Sequence, residues 1–253
     1  MKLALSFLLL ASLLVAVSSS SSAAEEEFDF FYLVQQWPGS FCDTRQGCCF
    51  PDDTGRPATG FGIHGLWPNY AKCKTAFNDE PNAAPGLESA INKRRKKKCW
   101  PEYCNNGEPL KLGQIADLLA TLNANWGTLS CKNKKSFTFW AYEWKKHGTC
   151  SGLAQHDYFQ AALRLKAQHN LTGILAQAGI VPSDDKTYFL SSIRDAIKEG
   201  TGFKANLECN RGVGGETQLF QVYQCVDVSG EKLIDCPLPM QGNCQDRVQL
   251  PAF

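Results

Sequence analysis

The hydrophobic pattern changes period along the chain, and each change marks an element. Phe28–Trp37 reads FDFFYLVQQW, a nearly continuous apolar run stopped by Pro38-Gly39, which predicts a buried strand. GFGIHGLW, residues 60–67, is a shorter apolar run bounded by glycine and predicts a second strand or strand end. Residues 71–110 contain four prolines and three cysteines, show no period and read as irregular. In LGQIADLLATLNANW, Ile115, Leu118, Leu119 and Leu122 fall at i, i+3, i+4 and i+7, one face of a helix. DYFQAALRLKAQ and YFLSSIRDAIKEG also read as helices, the second ending at Gly200. The period then drops to two. In TQLFQVYQCVDV, Phe220, Val222, Val226 and Val228 alternate with polar neighbours, a strand, and KLIDC beyond Asp227–Gly230 is its expected hairpin partner. Strands at both ends, helices between and no regular β–α alternation predict an α+β fold with a mainly antiparallel sheet.

The first residues change the chemical setting. Lys2 precedes an apolar run, Leu3–Val17, and a small polar stretch, Ser18–Ala24, the order of parts in a secretory signal peptide. The run is too short to span a bilayer comfortably, and no later segment reaches the roughly 18 apolar residues of a membrane helix. Residues 1–24 are therefore expected to be removed, leaving 25–253 as one domain. Lys2 leaves with them, so 25 of the 26 Lys and Arg face 25 Asp and Glu. That balance disfavours polyanion binding through a whole-surface field and requires any nucleic acid to be held at a local site. All 12 cysteines lie between Cys42 and Cys244, inclusive. An even count behind a signal peptide reads as a disulfide framework of up to six bridges, and the lack of any C-x-x-C pair disfavours zinc.

Two stretches carry candidate chemistry. In FWAYEWKKHGTC, Glu143, Lys146 and His147 would share one helical face, with Gly148 at the helix end. A carboxylate and an ammonium tune a neighbouring imidazole in opposite directions, and imidazole exchanges protons near neutrality. The plainer reading is a helical Glu–Lys pair beside a half-buried histidine. In GFGIHGLWPNY, His64 is either a hydrogen-bonded structural histidine or the second half of a site; Gly65 permits close approach, and Trp67 either packs in the core or offers a base a flat face. Two imidazoles with adjacent cationic and acidic helpers suit phosphodiester cleavage: one takes a proton from the nucleophile, the other protonates the leaving group, and Lys146 stabilises phosphoryl charge. RNA supplies its own nucleophile, the 2′-hydroxyl, so no metal or other cofactor is called for.

HGLWPNY (His64–Tyr70) and EWKKHGTC (Glu143–Cys150) resemble the two active-site segments of the secreted acid ribonucleases of the T2 family. FFYLVQQWPGSFC and LIDC resemble plant members, the S-like ribonucleases. The resemblance runs from about Phe28 to the end of the chain. It implies an α+β endoribonuclease that cleaves single-stranded RNA to 2′,3′-cyclic phosphates and then to 3′-phosphates. By position, His147 would be the general base, His64 the general acid, and Glu143 and Lys146 the supports of the pentacovalent phosphorus. Trp67 would stack on a base, with Asn69 and Gln36 as base-edge contacts, although some members carry an acid where Asn69 stands. One departure is Tyr142, where members usually place a phosphate-binding histidine. A neutral phenol in place of a charge-assisted contact costs on the order of 1.5–3 kcal/mol, or roughly ten- to a hundredfold in activity. The family pattern also implies bridges Cys42–Cys48, Cys49–Cys131, Cys104–Cys150, Cys209–Cys244 and Cys225–Cys236. Cys73 and Cys99 are then expected to pair, closing a loop that displays the basic run Lys93–Lys98, either a solvated loop or a phosphate-tracking patch.

Asn170-Leu171-Thr172 is an N-glycosylation sequon between helical segments. His156 and His169 belong to neither motif and receive no role. The expected protein is a monomer without an obligate protein partner or membrane contact. It is exported or held in a vacuole, and the terminal QLPAF is no ER-retention signal. The rival readings are an impaired homologue acting as an RNA-binding, storage or defence protein and, more distantly, a metallohydrolase.

Overall fold

A computed structural model describes residues 27–52, 54–75, 97–239 and 242–253. The proposed signal peptide and most of Lys93–Lys98 lie outside them; Lys97–Lys98 (β4) pairs with Lys74–Thr75 (β3) in a small separate sheet. The main sheet has seven strands. Its path runs from β2 (Gly62–Asn69) through β1 (Phe30–Gln36) to β7 (Thr217–Val226), then β9 (Arg247–Gln249) and β5 (Thr187–Phe189). β6 (Asn206–Arg211) and β8 (Leu233–Ile234) also pair with β7. Only the β7–β9 contact is parallel among these pairs, so the expected antiparallel α+β sheet is present.

Six helices accompany the sheet among the described residues. They are α1 (Pro38–Cys42), α2 (Leu119–Asn125), α3 (Ser136–Lys146), α4 (Gln155–Gln168), α5 (Leu171–Gln177) and α6 (Leu190–Thr201). The segment expected as one helix before Trp126 is two pieces. A 3₁₀ stretch, Leu112–Leu118, kinks at Ile115 before α2 begins, which lets Ile115 and Leu122 both reach the core. α6 starts later than the pattern suggested, because Tyr188 and Phe189 belong to β5. It ends at Gly202 rather than Gly200, in the left-handed conformation (φ 83°) that glycine adopts without Cβ strain. Asn170 caps α5 by accepting from the Gly173 amide.

One sheet face buries Phe31, Leu33, Ile63 and Leu66 against the tryptophans and leucines of α2–α4. A second cluster gathers Trp37, Val222 and Leu219 with α5 and α6. On β7 the polar neighbours in the alternation do not face water: Gln218, Gln221 and Gln224 are all buried, and Gln35 Nε2 donates to Gln224 Oε1 at 2.7 Å. Val228 lies beyond the strand and is exposed.

All six expected bridges are present, Cys73–Cys99 included. Cys49–Cys131 spans 82 positions and ties the loop after α1 to the start of α3. In the chain-entropy model a loop of that length is worth about 4 kcal/mol.

Two buried indoles hold the helices to β2. Trp126 Nε1 donates to the His64 carbonyl at 2.9 Å, and Trp140 Nε1 donates to the Trp126 carbonyl at 2.7 Å. Trp126→Phe is expected to lower unfolding free energy by roughly 1–3 kcal/mol, because the His64 carbonyl loses its donor in a dry environment. Chemical denaturation checks this; an unchanged midpoint would mean that water replaces the indole.

Candidate active site

His64 stands on a β-bulge. Val34 pairs with Gly65 and Gln35 pairs with Ile63, so His64 has no partner on β1. A bulge turns a side chain out of the regular alternation, and here it sends a histidine out of an otherwise apolar strand. The imidazole is half-buried. Its Nδ1 lies 2.8 Å from Nε2 of Gln221 on β7.

Glu143 and Lys146 come from α3, and His147 is the residue that ends it. The helical spacing puts them together as expected. Gly148 follows, but not as a left-handed cap: a Cβ there would lie 2.2 Å from Cε3 of the Trp144 ring, so only glycine lets the chain turn tightly over that indole. Glu143 is 1 % exposed and His147 5 %. Lys146 reaches towards solvent, 3.9 Å from Glu102.

Trp67 joins the two halves. Its Nε1 donates to Glu143 Oε2 at 2.8 Å. Its ring stacks on His147 with centroids 5.0 Å apart and planes 23° from parallel, and it meets His64 edge-on, also at 5.0 Å. One face of the indole that the sequence reading offered to a base is thus covered by His147. Gly65 makes this possible: a Cβ would lie 2.0 Å from Trp67 Nε1 and 2.3 Å from Glu143 Oε2, inside the hydrogen bond.

The electrostatics follow from burial beside a cation. Loss of water and the Lys146 ammonium push the His64 imidazole down to about 4. Desolvation, Lys146 and His64 push His147 down to about 3. Its Nδ1 is buried without a hydrogen-bond partner among the described residues, which leaves the ring without an anchor for a second proton. Glu143 moves the other way, up to about 8. Desolvation outweighs the Trp67 donor and Lys146, so the group is a neutral carboxylic acid in acidic solution.

The remaining candidates are spread out. Asn69 is buried and donates to the Trp67 carbonyl of its own strand. Gln36 is buried at the far end of β1, where it lines a cavity of about 380 Å³ with Phe61, Gly62, Asn125 and Lys166. Asn170 and Thr172 of the sequon line the same cavity, and Asn170 is exposed. Tyr142 is 48 % exposed beside Lys146, whose Nζ is 5.7 Å from its ring centroid. It lies beside Tyr103, whose hydroxyl it pushes up, a residue in the left-handed region (φ 56°) whose amide donates to the Lys146 carbonyl. The sequence reading missed Gln221 and Tyr103. Three glutamines in an apolar strand, QLFQVYQC, were the available signal for the first.

Gly65→Ala is expected to break the Trp67–Glu143 hydrogen bond and lift the indole off His147 while the sheet persists. The Trp67 indole N–H resonance and the near-ultraviolet circular dichroism should change, with the far-ultraviolet spectrum preserved. An unmoved resonance would show that Trp67 does not depend on Gly65.

The model of the Ribonuclease T2 family matches residues 28–236. Extracellular ribonuclease LE of Solanum lycopersicum is 44% identical over 229 residues, spanning 89% of this chain and 88% of that protein. Intracellular ribonuclease LX of the same plant is 43% identical over 227 residues, spanning 89% and 85%. The crystal structure of RNase NT in complex with 5′-AMP superposes with a TM-score of 0.77 at 41% identity, covering 90% of this chain and all of that one. Family match, identity over almost the whole chain and a shared fold agree: this chain belongs to the ribonuclease T2 family and is an endoribonuclease.

Proposed function

We propose that the chain cleaves single-stranded RNA without a metal, by transphosphorylation to a 2′,3′-cyclic phosphate followed by hydrolysis to a 3′-phosphate. The observation that carries this reading is the single indole of Trp67, which touches both imidazoles and the Glu143 carboxyl. His147 takes the proton from the 2′-hydroxyl, the 2′-oxygen attacks phosphorus, and His64 delivers a proton to the departing 5′-oxygen. Lys146 and the neutral Glu143 meet the charge that develops on the phosphoryl oxygens, one as a cation and one as an O–H donor. In the second step water takes the place of the 5′-hydroxyl and the two histidines exchange roles. The cavity at Gln36 lies two residues from the bulge along β2 and is a recess for a base flanking the scissile phosphate. The six disulfides support passage through an oxidising secretory route, with export or vacuolar retention as the destination and Asn170 as the glycan site. Among the described residues no helix is long and apolar enough to cross a membrane.

A second reading rests on Tyr142. The phenol cannot carry the charge of a phosphate-binding histidine, which slows cleavage in the first reading; in the second, the impaired chain serves as an RNA-binding, storage or defence protein. Incubation of the pure protein with dinucleotides in EDTA separates the two: a cyclic-phosphate product supports cleavage, and intact dinucleotide would leave only the second. His64→Ala and His147→Ala should each lower the rate roughly 10²- to 10⁴-fold. Tyr142→His should raise it roughly ten- to a hundredfold; an unchanged or lower rate would mark the tyrosine as adapted through its contact with Tyr103.

The pH dependence follows in sign from the two imidazoles. The base must be bare, which His147 is above about pH 3, and the acid must be charged, which His64 is below about pH 4. The kcat/KM profile of the free enzyme should therefore peak in acid and fall on both sides. Lys146→Ala removes the cation that depresses both groups, so both limbs should move to higher pH. A wild-type profile centred near the ordinary histidine value would contradict these assignments.

A further inference from the structure

Behind His64 a line of polar side chains runs along one face of the sheet from β2 through β7 to β6. Gln221 Nε2 is 2.8 Å from His64 Nδ1, the Tyr223 hydroxyl is 2.8 Å from Gln221 Oε1, and the same hydroxyl is 2.6 Å from Glu208 Oε2. Gln221 and Tyr223 are buried in β7, and Glu208, on β6, is half-buried. A run of four polar groups through the interior of a central sheet is costly unless each contact holds one proton.

Counting the protons shows that the line has two directions. A phenol has one proton, yet Tyr223 faces two acceptors when Gln221 turns its amide nitrogen to His64 and Glu208 is ionised. That arrangement is satisfied only with a proton on Glu208: Glu208 then donates to Tyr223, Tyr223 to Gln221 Oε1, and Gln221 Nε2 to a bare His64 Nδ1. Which end of the Gln221 amide faces His64 is an assignment from the bonding pattern. With the amide turned over and Glu208 ionised, every contact is again filled once: His64 Nδ1–H donates to Gln221 Oε1, Gln221 Nε2 to Tyr223, and Tyr223 to Glu208.

We propose that Glu208, acting through Tyr223 and Gln221, decides whether His64 carries a proton on Nδ1. Ionised Glu208 holds one there, so that a His64 able to donate from Nε2 is an imidazolium anchored from behind. Neutral Glu208 can instead donate to Tyr223, which makes the reversed line available and weakens the hold on the Nδ1 proton. The three residues are positioning residues for His64, and the catalytic consequence rests on its role as general acid. The other titratable groups facing His64 are Lys146, His147 and, through Trp67, Glu143, all from α3 and its end. Around the far end, Tyr32 of β1 packs on Tyr223 with ring centroids 5.4 Å apart, and Arg211 of β6 shares a surface recess with Glu208. Among the described residues no other charged group takes part in the hydrogen bonds of the line between Glu208 and His64.

The test reads the ring itself. The ¹⁵N shifts of His64 Nδ1 and Nε2 are followed from pH 3 to 8 in the folded wild-type protein, Glu208→Gln and Tyr223→Phe. In the wild type, His64 Nδ1 should show a second inflection that coincides with the one measured on the Glu208 side-chain carboxyl ¹³C shift, and both variants should lose it while the His147 shifts behave as before. On the alkaline limb of the rate profile, kcat/KM should fall roughly three- to tenfold in Tyr223→Phe, the worth of one hydrogen bond. Gln221→Glu, which places a carboxylate directly on Nδ1, should restore that limb in the Tyr223→Phe background. A single His64 inflection identical in all three proteins would overturn the proposal. The expected ring shifts in a protein that leaves RNA intact would uphold the line and sink the general-acid reading instead.

Discussion

The hydrogen bond from the Trp67 indole to the buried Glu143 carboxyl turns an edge strand and the end of a helix into one site. It crosses 76 positions of sequence, and it exists because residue 65 has no side chain. Its distance fixes where the indole lies, and the indole fixes how far apart the two imidazoles stand. Loosening it would allow β2 and α3 to keep their secondary structure while the chemistry disassembled.

That contact is built from groups that would be unfavourable elsewhere. A carboxyl with almost no exposure, an imidazole with an unpartnered buried nitrogen and a second imidazole half out of water all lie near one ammonium. Desolvation resolves the conflict by neutralising rather than by pairing: the acid keeps its proton and the two bases give theirs up. The result is a site that between about pH 4 and about pH 8 is nearly uncharged apart from Lys146, ready for a phosphate anion to supply the missing charge. The scaffold supports this arrangement by covalent means. Cys104–Cys150 lies at the end of α3, and Cys49–Cys131 lies just before its start, so both ends of that helix are tied down.

Tyr142 shows how a local substitution becomes a local structure. The exposed phenol does not point into an empty place; it meets Tyr103, whose backbone is held in a left-handed conformation costly for a bulky residue and whose amide is bonded to the Lys146 carbonyl. The two tyrosines form a neutral rim where a charged group would otherwise stand, next to the cation of the site.

Much of this was legible without coordinates. Periodicity located β1, β2, β7, α4 and α6 because a strand or helix facing a core writes its period into the chain. The spacing of Glu143, Lys146 and His147 placed them on one turn because a helix allows nothing else. Composition and cysteine parity indicated an oxidised domain. Tertiary structure decided the rest. The kink at Ile115 and the take-over of Tyr188-Phe189 by β5 depend on what each segment meets, not on its own propensity. The bulge at His64 is a property of register between two strands, and register is invisible in either alone. Gln221 stands out only as one of three glutamines in an apolar strand, and its tie to Tyr223, Glu208 and His64 exists only once pairing sets β6 and β7 side by side. The pKa shifts, too, belong to burial, which one segment cannot impose on itself. A chain specifies its elements through short-range periodicity, but a site made of long-range contacts exists only once those elements exclude water together.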